Sequence, residues 1–316
     1  MMHEETTMSE AVDETTVARR RLLGWIAGAL GTVVVVGVGG VELVDHGVLP
    51  GKLLLDELDG ACSVQAPNIV FGELGTTTTG QFFSKARHRP VGYSIGYPAG
   101  NLPSDALSLI VMLHGYGNNH RNALVNMTPA QAVAIQAKGT APTPTALVTV
   151  DGGNGYWNPH PDDDPMAMVV DELIPLCQRR GLGRAPGTIS LMGISMGGYG
   201  ALAIAERNPG LASGVAAISP AIWTSYDQAR GANSGAFASA TAFEEGDVIA
   251  HATNLKGVAV RIASGADDPF HPGVAKLAGV LPHPSTVVFS SGCHTDPFFY
   301  AQEPPSVHFL SMVKAV

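Results

Sequence analysis

The sequence predicts an α/β domain with a mostly parallel central sheet flanked by helices on both faces. Two observations carry this. Short, almost continuous apolar runs recur from Gly60 onward, and helix-like patterns stand between them at short intervals. Runs of this kind suit strands buried on both faces of a sheet. Helices are then needed to cover both sides.

Taken in order, Phe82-Phe83-Ser84 and Val91 to Tyr97 read as a first pair of strands, punctuated by Gly and Pro. Ser108 to Leu113 is the first fully apolar run, and the signal returns at Thr145 to Val150, Thr188 to Gly193, Gly214 to Ile218, Val258 to Ala263 and Thr286 to Phe289. Helical patterns occupy Pro129 to Ala137, Pro165 to Arg179, Gly197 to Arg207 and Pro272 to Val280. The stretch from about 221 to 257 is longer than a simple crossover and reads as an insertion near the site. No internal repeat or second domain is visible, so the catalytic domain is expected over residues 76–316.

Composition supports a single folded, loop-rich unit. The 316 residues are 45% hydrophobic and only 14% charged, with 38 Gly and 22 Pro, enough apolar material for one sizeable core without a disulfide framework or structural metal. A formal charge of -9 excludes a nucleic-acid partner, which would need a clustered basic footprint. Cys62, Cys177 and Cys293 allow at most one internal disulfide.

The N-terminal segment departs from this pattern. Residues 1–21 form an acidic tail ending in Arg19-Arg20-Arg21, and from Leu22 to Val41 no side chain is charged. As a helix, a run of about twenty residues spans about 30 Å, the thickness of a bilayer core. Three arginines before it form the charge arrangement that keeps a terminus cytoplasmic. Ala18-Arg19-Arg20-Arg21-Leu22-Leu23 resembles a twin-arginine export signal, yet no Ala-x-Ala site follows the apolar run. The expectation is an uncleaved transmembrane signal anchor over 22–41, a linker over 42–75, and a catalytic domain outside the cell membrane.

The chemistry is expected at Gly193-Ile194-Ser195-Met196-Gly197-Gly198, which follows an apolar strand and opens an Ala-rich helix. This is Gly-x-Ser-x-Gly in strand-turn-helix context, with glycines two positions either side because side chains there would obstruct the turn. A serine hydroxyl is a poor nucleophile at neutral pH and needs a base, and the base needs an orienting carboxylate. Both follow at strand ends. His294 is the expected base, and Asp268 the expected acid, with Asp267 as its competitor. Attack on an ester creates an oxyanion that needs N–H donors aimed at it. The amide of Met196 should supply one donor, and the loop His114-Gly115-Tyr116-Gly117 the other, through Tyr116 or alternatively Gly115. His114 itself reads as a structural histidine beneath that loop. Trp157 and Tyr156, after the strand ending at Val150, are candidates for stacking on a sugar or covering an acyl chain. Trp223 and Phe237 are further wall candidates. No His-Glu-x-x-His or similar ligand spacing occurs, so neither a metal nor another cofactor is expected.

These residues resemble the α/β-hydrolase superfamily, and within it the putative-esterase family that contains esterase D and the mycolyltransferases of actinobacterial envelopes. The resemblance rests on His114-Gly115-Tyr116-Gly117, Gly193-Ile194-Ser195-Met196-Gly197-Gly198, Gly265-Ala266-Asp267-Asp268 and Gly292-Cys293-His294. It implies the α/β-hydrolase fold and an acyl-serine mechanism on carboxylic esters. The chain departs from the mycolyltransferase branch by its apolar N-terminal run and by Asp268-Pro269-Phe270 at the acid. Three functions therefore stand as expectations. One is a membrane-anchored, exported serine esterase acting on a small-molecule or glycolipid ester. The second is an acyltransferase moving the acyl group to a sugar or glycolipid, and the third a non-catalytic envelope scaffold.

Overall fold

The computed structural model describes Cys62 and residues 73–103, 105–136, 143–282 and 285–313. The expected tail and anchor lie outside the described residues. Among the described residues no helix is long and apolar enough to cross a membrane.

Eight strands form one sheet: β1 (Thr77–Ser84), β2 (Arg89–Gly96), β3 (Ser108–Leu113), β4 (Thr145–Val150), β5 (Ile189–Ile194), β6 (Gly214–Ile218), β7 (Ala259–Gly265) and β8 (Ser285–Ser290). Their order is β1-β2-β4-β3-β5-β6-β7-β8. The β1/β2 and β2/β4 pairs are antiparallel and all others parallel. The core alternates about β3 with the period of a strand. Leu109, Val111 and Leu113 belong to one apolar cluster and Ile110 and Met112 to the other, all almost fully buried. Each such side chain contributes roughly 1.5–3 kcal/mol on burial, which explains why the central strands read as unbroken apolar runs.

The helices are α1 (His120–Gln136), α2 (Ile174–Arg179), α3 (Met196–Arg207), α4 (Tyr226–Ala232), α5 (Ala240–Glu245), α6 (His271–Ala278) and α7 (Asp296–Ser311). A short turn at Pro165–Ala167, capped by the Asp164 carboxylate, and a π-helical stretch at Met168–Leu173 lead into α2. Helix α1 begins nine residues before the predicted Pro129, which lies inside it. The pattern from Pro129 onward covers only the second half of this helix, and the interior proline is tolerated at the loss of one N–H. Helices α4 and α5 lie in the expected insertion, followed by a 3-10 turn at Ala252–Leu255. Helix α7 is not expected from the sequence, because Pro304 and Pro305 within it look like breakers, although Pro297 suits its first turn. It covers one sheet face together with α1, through Phe298, Val307 and Leu310 against Ile110, Met192 and Ile218. Cys62 is bonded to Cys293 with Cα atoms 5.2 Å apart, and Cys177 is a buried free thiol.

Candidate active site

Ser195 stands between β5 and α3 with φ 55° and ψ -118°, a left-handed conformation that is uncommon for a residue with a side chain. The surroundings lock it in place. Its N–H donates to Ile218 O at 2.9 Å, and its carbonyl accepts from Tyr199 N–H and Ala221 N–H, both at 3.0 Å. Glycine is required on either side by sterics. A Cβ on Gly193 would collide with the Gly197 backbone, and one on Gly197 with the carbonyl of Leu113 at the end of β3. The same close approach brings the loop after β3 alongside the serine.

The loops after β7 and β8 meet at Ser195. His294 Nε2 accepts from the Ser195 hydroxyl at 2.8 Å, and His294 Nδ1 donates to Asp268 Oδ2 at 2.9 Å. A carboxylate only accepts, so the Nδ1–H tautomer follows. Asp268 is 2% exposed, and its other oxygen accepts from Phe270 N–H at 2.8 Å. Asp267 is placed differently, with its N–H donating to Gly292 O at 3.0 Å and no part in the histidine contact. The imidazole is flanked edge-on by Phe270 and Phe299, with ring centroids 5.1 and 5.0 Å away.

Met196 opens α3, where the first N–H groups have no intrahelical acceptor. Gly115 and Tyr116 line the cleft that holds Ser195. His114 sets the orientation of their shared peptide. Its Nδ1 donates to Gly115 O at 2.8 Å while its Nε2 accepts from Gly152 N–H at 3.0 Å. In a trans peptide the next N–H points opposite to the carbonyl, so the Tyr116 N–H is turned away from the histidine. Burial lowers the pKa of His114 and keeps it neutral, as both hydrogen bonds require.

The expected substrate contacts of Trp157 and Tyr156 are not found. Trp157 is fully buried, fills the space left by Gly152 and Gly200, and donates through Nε1 to His114 O at 3.3 Å. Tyr156 is 5% exposed and packs on Trp223, with centroids 4.7 Å apart. Neither lines the cleft. Tyr156 and Trp157 both have positive φ, 55° and 59°. Trp223 and Phe237 likewise join this aromatic cluster, and Trp223 meets Phe270 at 5.5 Å, behind the histidine.

The cleft has a volume of about 310 Å³. One wall was missed by the sequence reading: Asp296, Phe299, Tyr300 and Glu303 of α7. Their spacing of i, i+3, i+4, i+7 is that of one helix face and was the available signal, obscured by the prolines around it. Glu303 is 3% exposed, and burial, reinforced by the charge of Asp296, pushes its carboxyl up to about 8. Among the described residues no cluster could hold a metal ion.

The sequence profile of the family described as putative esterase matches residues 88–279. No curated protein matches the chain in sequence. Solved structures do match in fold. A ferulic acid esterase aligns with TM-score 0.65 and 17% identity over 76% of this chain and 99% of its own. An S-formylglutathione hydrolase from Agrobacterium tumefaciens aligns at 0.61 and 16%, over 78% and 97%. MPT51 of Mycobacterium tuberculosis aligns at 0.56 and 18%, over 77% and 99%.

Proposed function

The chain belongs to the putative esterase family and is a serine carboxylic ester hydrolase; on that premise we propose that it is a membrane-anchored, exported esterase whose reaction is carried by Ser195, His294 and Asp268. The observation that carries this is the unbroken hydrogen-bond chain from Ser195 Oγ through His294 to Asp268, at 2.8 and 2.9 Å.

In the proposed reaction, Ser195 Oγ attacks the ester carbonyl carbon as its proton passes to His294 Nε2. Asp268 holds the imidazole in the needed tautomer and stabilises the imidazolium. The carbonyl oxygen, now anionic, is received by the N–H groups of Met196 and Tyr116, donors that need no reorganisation as charge develops. Collapse breaks the bond to the alcohol, which leaves with the proton from His294. Water then gives a proton to His294 as it attacks the acyl-serine, and collapse of the second tetrahedral intermediate breaks the acyl–Oγ bond, releasing the acid as His294 Nε2 returns the proton to Ser195 Oγ. A non-catalytic scaffold would have no need of a serine held at φ 55° or of a buried carboxylate bonded to an imidazole.

Export is supported by the arginine-flanked apolar run and by the Cys62–Cys293 disulfide, a bond that persists in oxidising compartments. Two experiments test the reading. The full-length protein should hydrolyse short nitrophenyl esters and take up a fluorophosphonate at Ser195; a folded protein that does neither sinks the catalytic assignment. It should also sediment with membranes, with residues beyond 42 open to external protease. A soluble, trimmed form in the medium would remove the anchor.

A further inference from the structure

The cleft beside Ser195 carries two carboxyl groups that hydrolysis does not use. Asp296 lies two residues after His294, and Glu303 lies two helical turns further along α7, about 10 Å along the axis. Both line the cleft, with Tyr116, Phe299 and Tyr300 beside them. Among the described residues the cleft wall has no lysine or arginine. Glu303 Oε1 has no hydrogen-bond partner among the described residues, although the side chain is 97% removed from solvent by its 3% exposure.

A buried carboxyl oxygen left without a donor is costly, and Glu303, unlike the other buried unpaired carboxyls, lines the cleft, where a ligand's donor can complete it. Carboxyl groups among aromatic rings, with no resident cation, are the chemistry that recognises an ammonium group: the carboxylates accept its N–H bonds and the ring faces attract its charge. Resting on the esterase reading, we propose that the Asp296–Glu303 wall is a subsite for a primary ammonium, so that the preferred esters carry an amine at the end remote from the scissile bond. A neutral hydroxyl could donate to Glu303 but would gain nothing from the negative charge of the exposed Asp296 beside it. The raised pKa of Glu303 agrees with a carboxyl that lacks its cation.

The test compares nitrophenyl 6-aminohexanoate with nitrophenyl heptanoate and nitrophenyl 6-hydroxyhexanoate, and 6-aminohexyl acetate with heptyl acetate, on the full-length protein. On the acyl or the alcohol side, the amine ester should exceed its methyl and hydroxyl counterparts about tenfold in kcat/KM, the value expected of one charge-assisted hydrogen bond. In E303Q and in D296N that ratio should collapse toward one, chiefly through KM. Two variants guard against one of them misfolding, and thermal melts identify that case. Turnover of the neutral esters without an amine preference overturns the subsite alone. A preference shared equally by the hydroxyl ester also overturns it, in favour of a polyol. No turnover of any ester, with no fluorophosphonate label, overturns the esterase reading beneath it.

Discussion

Cys62 is covalently joined to Cys293, the residue immediately before His294. The bond ties Cys62 to the loop carrying the imidazole, across a sequence separation of 231. Cross-linking residues this far apart restricts the unfolded chain strongly. Removing the bond as Cys62→Ser with Cys293→Ala should cost about 2–5 kcal/mol, a fall in Tm of roughly 5–15 °C. The imidazole is also held by Asp268, Phe270 and Phe299, so kcat at 25 °C should stay within about threefold of wild type. Calorimetry with parallel ester assays checks both statements; an inactive variant with unchanged Tm would contradict them.

Adjacent aspartates should behave very differently. Asp268→Asn leaves a buried amide that favours the wrong imidazole tautomer, and kcat should fall about ten-thousandfold. Asp267 touches the site only through its backbone N–H, so Asp267→Asn should change kcat less than about threefold. Steady-state assay of the two purified variants decides it.

His114 does not touch the reacting atoms in this scheme and acts as a positioning residue for the Gly115–Tyr116 peptide. In His114→Phe the Gly115 carbonyl loses one donor and the peptide is freer to turn. Losing an oxyanion donor outright costs about 100- to 1,000-fold, so an indirect loss should lower kcat about tenfold with little change in KM. A rise in KM at constant kcat would point to substrate binding by His114.

Trp157 supports His114 from beneath. Trp157→Phe should lower stability by about 1–2 kcal/mol, through a lost hydrogen bond and a partial void, and leave KM unchanged. A large KM effect in a thermal-melt-matched assay would return Trp157 to the substrate's surroundings.

Glu206, in α3, is 2% exposed, and burial with the nearby charge of Asp247 raises its carboxyl from 4.5 to about 9. Its unfolded counterpart ionises near 4.5 while the folded group stays protonated, so its contribution to stability is full below that pH and is lost as pH rises through about 9. Glu206→Gln keeps the shape of the neutral acid and removes that loss. It should raise Tm by about 4–8 °C at pH 9, on the order of 2 kcal/mol, and change it little at pH 4. Melts across that range test the direction.

The strands were legible because both of their faces are buried: runs such as Ser108–Leu113 need no distant information to be recognised. The serine turn was legible for a similar reason, since the steric demand that places Gly193 and Gly197 around Ser195 is local. His294 could be found from its position after the last strand. Helix α7 could not, because Pro304 and Pro305 inside it contradict local propensity and its packing beside α1 sustains it. With α7 went one wall of the cleft.

By itself, the sequence determined the sheet, the turn that holds Ser195 and the types of residue expected around it, because strand burial and turn sterics act over a few residues. Tertiary structure alone bonded His294 to Asp268 and not to Asp267, paired Cys62 with Cys293, turned Trp157 into the core and placed Glu303 against the cleft. Each of those outcomes depends on where loops from separate strands meet. That meeting is set by packing across the whole domain, and no short stretch of chain encodes it.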